Sequence, residues 1–210
     1  MKDLMHEMRY VERKVWIEVI NRVSYNVAGK VRREVWSKVR GEVRDEVCRT
    51  EGDALTDADY NVAVGYNALS SDTLGSTSVA VGKAALATQN FTTATDTYNT
   101  AVGNNAGTSV TTGILNSLVG AGTGDAFTDA DENTAIGAFA LTTDTLGSKS
   151  TAIGRSALQS QNFTTATDSY NTAVGYQAGL AITTGQSNTF VGSLAGDGTD
   201  DGNNNVDVGS

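Results

Sequence analysis

Asn61-Val62-Ala63-Val64-Gly65 is the first of nine appearances of one short phrase. It returns as Ser78-Val-Ala-Val-Gly82, Asn99-Thr-Ala-Val-Gly103, Asn116-Ser-Leu-Val-Gly120 and Asn133-Thr-Ala-Ile-Gly137. It then returns as Ser150-Thr-Ala-Ile-Gly154, Asn171-Thr-Ala-Val-Gly175, Asn188-Thr-Phe-Val-Gly192 and Asn205-Val-Asp-Val-Gly209. The numbers of successive glycines rise in steps of 17, 21, 17, 17, 17, 21, 17 and 17. A longer period lies over the short one and spans four of its steps, carrying Gln89-Asn-Phe-Thr-Thr-Ala-Thr-Asp96 into Gln161-Asn-Phe-Thr-Thr-Ala-Thr-Asp168. Fixed periods of this kind mark a stacked architecture. A disordered Gly/Ser/Thr tract has no reason to keep phase over so long a stretch.

Each unit reads as one coil of a β-solenoid. Val or Ile precedes every marker glycine, and β-branched side chains suit a pleated, half-buried surface. The structural glycines (Gly65, Gly82, Gly103, Gly120, Gly137, Gly154, Gly175, Gly192 and Gly209) allow a turn where a Cβ would clash or φ must be positive. Three residues on comes a small residue (Ala68, Ala85, Ala106, Thr123, Ala140, Ala157, Ala178, Ala195), followed by Leu or Gly. This predicts a second short strand packed on the first. Residues 51–210 are therefore expected to form about nine coils of 17 or 21 residues, stacked at the ~4.8 Å strand spacing. One Val/Ile and one Ala per coil is a thin interior, and a unit that cannot bury its own face predicts association.

The phrases, Asn171-Thr-Ala-Val-Gly-Tyr-Gln-Ala-Gly179 above all, resemble the head repeats of trimeric autotransporter adhesins and the related repeats of bacteriophage fibre proteins. The resemblance spans roughly residues 55–210. It implies a mainly β fold, a left-handed parallel β-roll that is homotrimeric and serves attachment or display. An adhesin needs an export signal and a C-terminal membrane anchor. The start of the chain carries early acids and no apolar run, so no secretory signal is read there, and no stretch reaches the ~18 apolar residues of a membrane span. The expectation is thus a structural fibre of a phage virion, on tail or head, made in the host cytoplasm and displaying a rod for host attachment. The alternative is the head of a bacterial surface adhesin, located on the cell surface.

Charge divides the chain. Residues 1–50 hold 12 Lys/Arg against 8 Asp/Glu, a net of +4; residues 51–210 hold 3 against 16, a net of −13. Such asymmetry predicts two regions with different tasks. The acidic region argues against a nucleic-acid partner, whose phosphates it would repel. In residues 1–50 a Val occupies every fourth position from Val11 to Val47, among Arg, Lys and Glu. The filler favours a helical, coiled-coil-like trimer stalk that docks on other virion proteins. A period of four drifts ~40° per step on a helix, whereas a strand keeps all ten valines on one face, so a β form is the rival.

Catalytic chemistry is not expected. The chain has one His and one Cys, His6 and Cys48, far apart in the charged segment, and they offer no nucleophile–base pair. Glycine-rich phrases that recur in every coil are structural, not phosphate loops, and no cofactor is implied. Alternating acids at Asp57 and Asp59, at Asp129 and Asp131, and at Asp201 resemble the opening of a calcium loop. No bidentate Glu closes the loop and Asn is the usual opener of the phrase, so they are read as acidic solvated turns, with calcium as the alternative. The four-residue insertions of the 21-residue coils place Phe91, Tyr98, Phe163 and Tyr170 at an outward bulge. There they are candidate contacts to a host glycan or protein, with packing against a neighbouring coil as the alternative.

Overall fold

The computed structural model describes residues 58–198 and 201–209. The expected stalk in residues 1–50, with His6 and Cys48, and the candidate ligand Asp57 lie outside the described residues. Among those described there is no helix, and the fold is a parallel β-solenoid of nine turns.

One three-residue strand is contributed by each coil: β1 (Val62–Val64), β3 (Val79–Val81), β5 (Thr100–Val102), β6 (Ser117–Val119), β7 (Thr134–Ile136), β9 (Thr151–Ile153), β11 (Thr172–Val174), β12 (Thr189–Val191) and β13 (Val206–Val208). They form one sheet in chain order, every neighbouring pair parallel. Register is kept across coils of either length: Ala63 faces Ala80 across a short coil, and Ala80 faces Ala101 across a long one. The insertions are therefore absorbed outside this sheet. Nine strands at the ~4.8 Å spacing give a stack about 38 Å long.

Side chains alternate across a strand, so each three-residue strand sends its middle residue inward. Ala80, Ala101, Leu118, Ala135, Ala152, Ala173 and Phe190 are fully buried. The Val or Ile before each marker glycine faces out. Val102, Val119, Ile136, Ile153, Val174 and Val191 are each 36–42% exposed. The sequence reading that placed this residue inside is corrected by strand parity. The interior is also wider than one Ala per coil, because Leu69, Leu86, Leu141, Leu158, Val110, Phe127 and Ile182 join it from the turns.

The expected second strand is a turn in most coils. The residue two after each marker glycine has positive φ, as at Asn67, Ala84, Asn105, Phe139 and Gln177, and so does the residue four after it, as at Leu69, Leu86, Leu141 and Leu158. Alternation with left-handed residues prevents an extended strand. Coils are nonetheless laddered here, since Asn105 N–H donates to Lys83 O at 2.8 Å and Leu86 N–H to Ala106 O at 3.1 Å. Among the described residues, true second strands occur only beside the insertions. There β2 (Gly75–Ser76) pairs with β4 (Thr95–Asp96), and β8 (Gly147–Ser148) with β10 (Thr167–Asp168).

The marker glycines are stacked one on the next. A Cβ on Gly137, whose φ is +134°, would lie 2.5 Å from the carbonyl carbon and oxygen of Gly154. Both the backbone angle and the close approach of neighbouring coils thus demand glycine at this column.

Candidate functional site: the outward ladder and the insertion loops

Two surface features set this rod apart from a plain stack of coils. The first is the outer face of the nine-stranded sheet. Its Val/Ile column runs beside a second column made of Val62, Val79, Thr100, Ser117, Thr134, Thr151, Thr172, Thr189 and Val206. The Val/Ile column is exposed or half-exposed from Val64 to Val208.

The second feature is the pair of insertion loops, which are held from below by buried polar clusters. In ordinary coils the opening Asn bridges to the next coil. Asn116 Nδ2 donates to Ala130 O at 2.6 Å, and its Oδ1 accepts from Asn133 N–H at 3.0 Å. Before an insertion the opener is Ser, which is too short for this bridge, and a glutamine takes over. Gln89 Nε2 donates to Asp72 Oδ2 at 2.5 Å and to Ser78 Oγ at 3.0 Å, while its Oε1 accepts from Asn99 Nδ2 at 2.9 Å. Gln161 repeats the arrangement with Asp144, Ser150 and Asn171 at 2.6, 3.0 and 2.8 Å. Ser78 also bonds Thr97, and Ser150 bonds Ser169.

Asp144 completes its shell with Gly147 N–H and Phe163 N–H, each at 3.0 Å. Burial pushes its carboxyl above the ordinary range, and the hydrogen bonds from Gln161, Phe163 and Gly147 pull part of the way back. No buried side-chain polar atom among the described residues lacks a partner.

This anchoring decides where the four aromatic candidates point. Phe91 and Phe163 turn inward and are only 7% and 4% exposed. Their N–H groups are taken by Asp72 and Asp144. The outward bulge expected for these two is corrected: they pack inward, the alternative placement. Tyr98 and Tyr170 remain on the surface, more than half exposed. Tyr170 belongs to a small cluster in which Asp168 Oδ2 accepts from Lys149 Nζ at 2.7 Å and from Tyr170 Oη at 3.1 Å. Lys149 also sits 5.6 Å from the Tyr170 ring centre. The lysine and the tyrosine hydroxyl hold the Asp168 carboxyl below its ordinary value.

No family model, curated protein or solved structure matches this chain. The reading therefore rests on the coils themselves.

The acidic pairs act as caps between coils. Asp129 Oδ1 accepts from Thr112 Oγ1 at 2.6 Å, and Asp131 Oδ1 from Ile114 N–H at 2.7 Å. Asp201 accepts from both Thr183 and Thr184, which hold its carboxyl below the ordinary range. The Asp131 carboxyl is pushed up, first by burial and then by Asp129, Glu132 and Asp168, against the Ile114 hydrogen bond. Asp59 donates its N–H to Ser76 Oγ at 3.0 Å. Among the described residues no three His, Cys, Asp or Glu side chains are gathered as metal ligands would be.

The sequence reading missed the Ser–Gln–Asp cluster. Its signal was available: the two phrases that open with Ser, at Ser78 and Ser150, are the two that begin the 21-residue coils.

Proposed function

We propose that this chain is the subunit of a homotrimeric, left-handed β-roll fibre of a bacteriophage virion, which displays a rod for attachment to a host surface. Residues 1–50 dock it on other virion proteins, and Tyr98 and Tyr170 are the surface aromatics offered to a host glycan or protein. The observation that carries the reading is the outward Val/Ile column, which runs the whole length of the solenoid. Fully burying one such side chain contributes about 1.5–3 kcal/mol. Covering the remaining third or so of each gives about 0.5–1 kcal/mol per coil, or several kcal/mol per protomer over the stack. A sheet face with that much to gain fits around a symmetry axis, where closed point-group oligomers are the rule.

The test has two parts. Light scattering on the full chain is expected to give three times the chain mass. A Val119→Lys, Ile136→Lys variant is expected to dissociate while keeping its β circular dichroism, because both side chains point out of the fold. A single-chain mass for the unaltered protein would sink the trimer. Immunolabelled electron microscopy of purified phage particles then places the protein. Label on the bacterial surface, with none on particles, would exchange the virion fibre for a surface adhesin head.

A further inference from the structure

The chain has sixteen asparagines, and only Asn90 and Asn162 have a hydroxyl residue two positions on, with no proline between. They head Asn90-Phe91-Thr92 and Asn162-Phe163-Thr164, one in each insertion loop. Asn-x-Thr is the acceptor pattern for N-linked glycosylation, and it is usable where it lies on an accessible surface loop.

The local geometry suits an acceptor. Phe91 and Phe163 are sunk into the coil and their N–H groups are pinned by buried aspartates. The residues on either side are thereby carried outward. Asn90 is exposed and Asn162 half-buried, while Thr92, Thr93, Thr164 and Thr165 are all exposed. Each asparagine uses its Oδ1, which accepts from Thr73 or Thr145 at 3.3 Å. The reacting Nδ2 of each has no partner among the described residues. Neither loop belongs to the nine-stranded sheet.

Packing accounts for part of the identity between the two loops. It requires Gln89 and Phe91, and their equivalents Gln161 and Phe163. It does not require exposed Thr92 and Thr164. Nearby positions differ between the two units, with Lys83 against Arg155, Ala84 against Ser156 and Ala87 against Gln159, yet residues 89–96 and 161–168 are identical.

We infer that Asn90 and Asn162 are acceptor sites for N-linked sugar, set four coils apart and so ~19 Å along the rod by strand spacing. The donor is an activated sugar, its C1 bonded to the oxygen of a nucleotide or lipid (pyro)phosphate. The new bond joins Nδ2 to C1, the C1–O bond breaks, the phosphate leaves with the electron pair, and the amide gives up one proton. No oxidation or reduction is involved.

The experiment uses the folded full chain, a soluble asparagine glucosyltransferase and UDP-glucose, with intact-mass measurement and glycopeptide mapping. A synthetic peptide covering residues 86–98 runs alongside. The expected result is a gain of two hexoses, mapped to Asn90 and Asn162 and faster at Asn90. The gain should be absent from the Asn90→Gln, Asn162→Gln variant and from the Thr92→Ala, Thr164→Ala variant. Three results would overturn the inference: transfer to the peptide but not to the folded chain, transfer to neither, or a mass gain that survives in the double-Gln variant.

Discussion

Gly196→Leu is predicted to destabilise the unaltered chain but to restore part of the stability lost in Phe190→Ala. In coils one, two, five and six the middle strand residue is Ala and the residue six positions on is Leu, as in Ala80 and Leu86 or Ala152 and Leu158. In the eighth coil the same two places hold Phe190 and Gly196, and a Cβ on Gly196 would run into the Phe190 ring. Phe190→Ala empties a fully buried site and is expected to cost about 3–5 kcal/mol. Gly196→Leu alone overpacks it, at a cost of up to about 3 kcal/mol. Combined, they recreate the Ala/Leu pair. The backbone is already suited: Gly196 has φ +74°, and Leu69, Leu86, Leu141 and Leu158 occupy that place at 48–51°. A buried Leu returns about 1.5–3 kcal/mol, less ~1 kcal/mol for a left-handed non-glycine residue. The double variant should therefore be about 0.5–2 kcal/mol more stable than Phe190→Ala, with a coupling of roughly 1.5–5 kcal/mol between the sites. Stacked repeats need not unfold as one unit, so the assay is local: hydrogen exchange at Gly179 N–H, which bonds Ala195 O, and Gly192 N–H, which bonds Val174 O. Exchange at both should slow by roughly two- to thirtyfold, given ~1.4 kcal/mol per decade, on going from Phe190→Ala to the double variant. If the double variant exchanges as fast as Phe190→Ala, the idea that these two positions share one volume is wrong.

Two further outcomes follow from the glycine column and the buried acids. Gly137→Ala should cost at least about 2 kcal/mol, because it strains a backbone angle that side chains avoid and meets the Gly154 carbonyl; thermal melting followed by circular dichroism checks it. Asp144 carries a raised carboxyl pKa in the folded chain, so between its ordinary value and that raised value the folded state binds more protons than the unfolded one. Its contribution to stability therefore falls as pH rises through the raised pKa and is recovered on acidification. Relative to Asp144→Asn, the unaltered chain should gain stability on going from pH 7 toward pH 4 in urea melts, and parallel pH profiles for the two would refute the assignment.

The solenoid was legible because the marker glycines and the β-branched residue before them repeat at a fixed interval. The inside of the solenoid was misread for a reason of parity. In a strand of three residues the period-two rule turns on which residue is taken as inward, and a column of Val and Ile looks like a core. The second strand was misread because no propensity argument places Leu in left-handed backbone. What puts Leu69, Leu86, Leu141 and Leu158 there is burial between neighbouring coils, a tertiary effect.

The coil-to-coil logic becomes visible once two interior positions are compared. The residue after the small one is Leu in coils one and two, Gly in three and four, Leu in five and six, Gly in seven and eight. Three positions beyond it stand Asp72 and Gln89, then Val110 and Phe127, then Asp144 and Gln161, then Ile182. Through the seventh coil, polar corners therefore coincide with Leu and apolar corners with Gly; in the eighth, Gly196 is followed by Thr199 and Phe190 is the large side chain. A Cβ on Gly107 would meet Leu118 at 2.7 Å, and one on Gly124 would meet Phe127 at 2.8 Å, so in the apolar coils the glycine is what makes room for the large side chain. In the polar coils the Leu supplies the apolar volume that Asp and Gln do not. This exchange keeps a roll of nearly constant cross-section, and it confines the buried acids Asp72 and Asp144 to the coil directly before each four-residue insertion, which they help to anchor. The long period, from Gln89 to Gln161, is then the spacing of the anchors, and the two surface loops they hold recur at that spacing because the packing beneath them does.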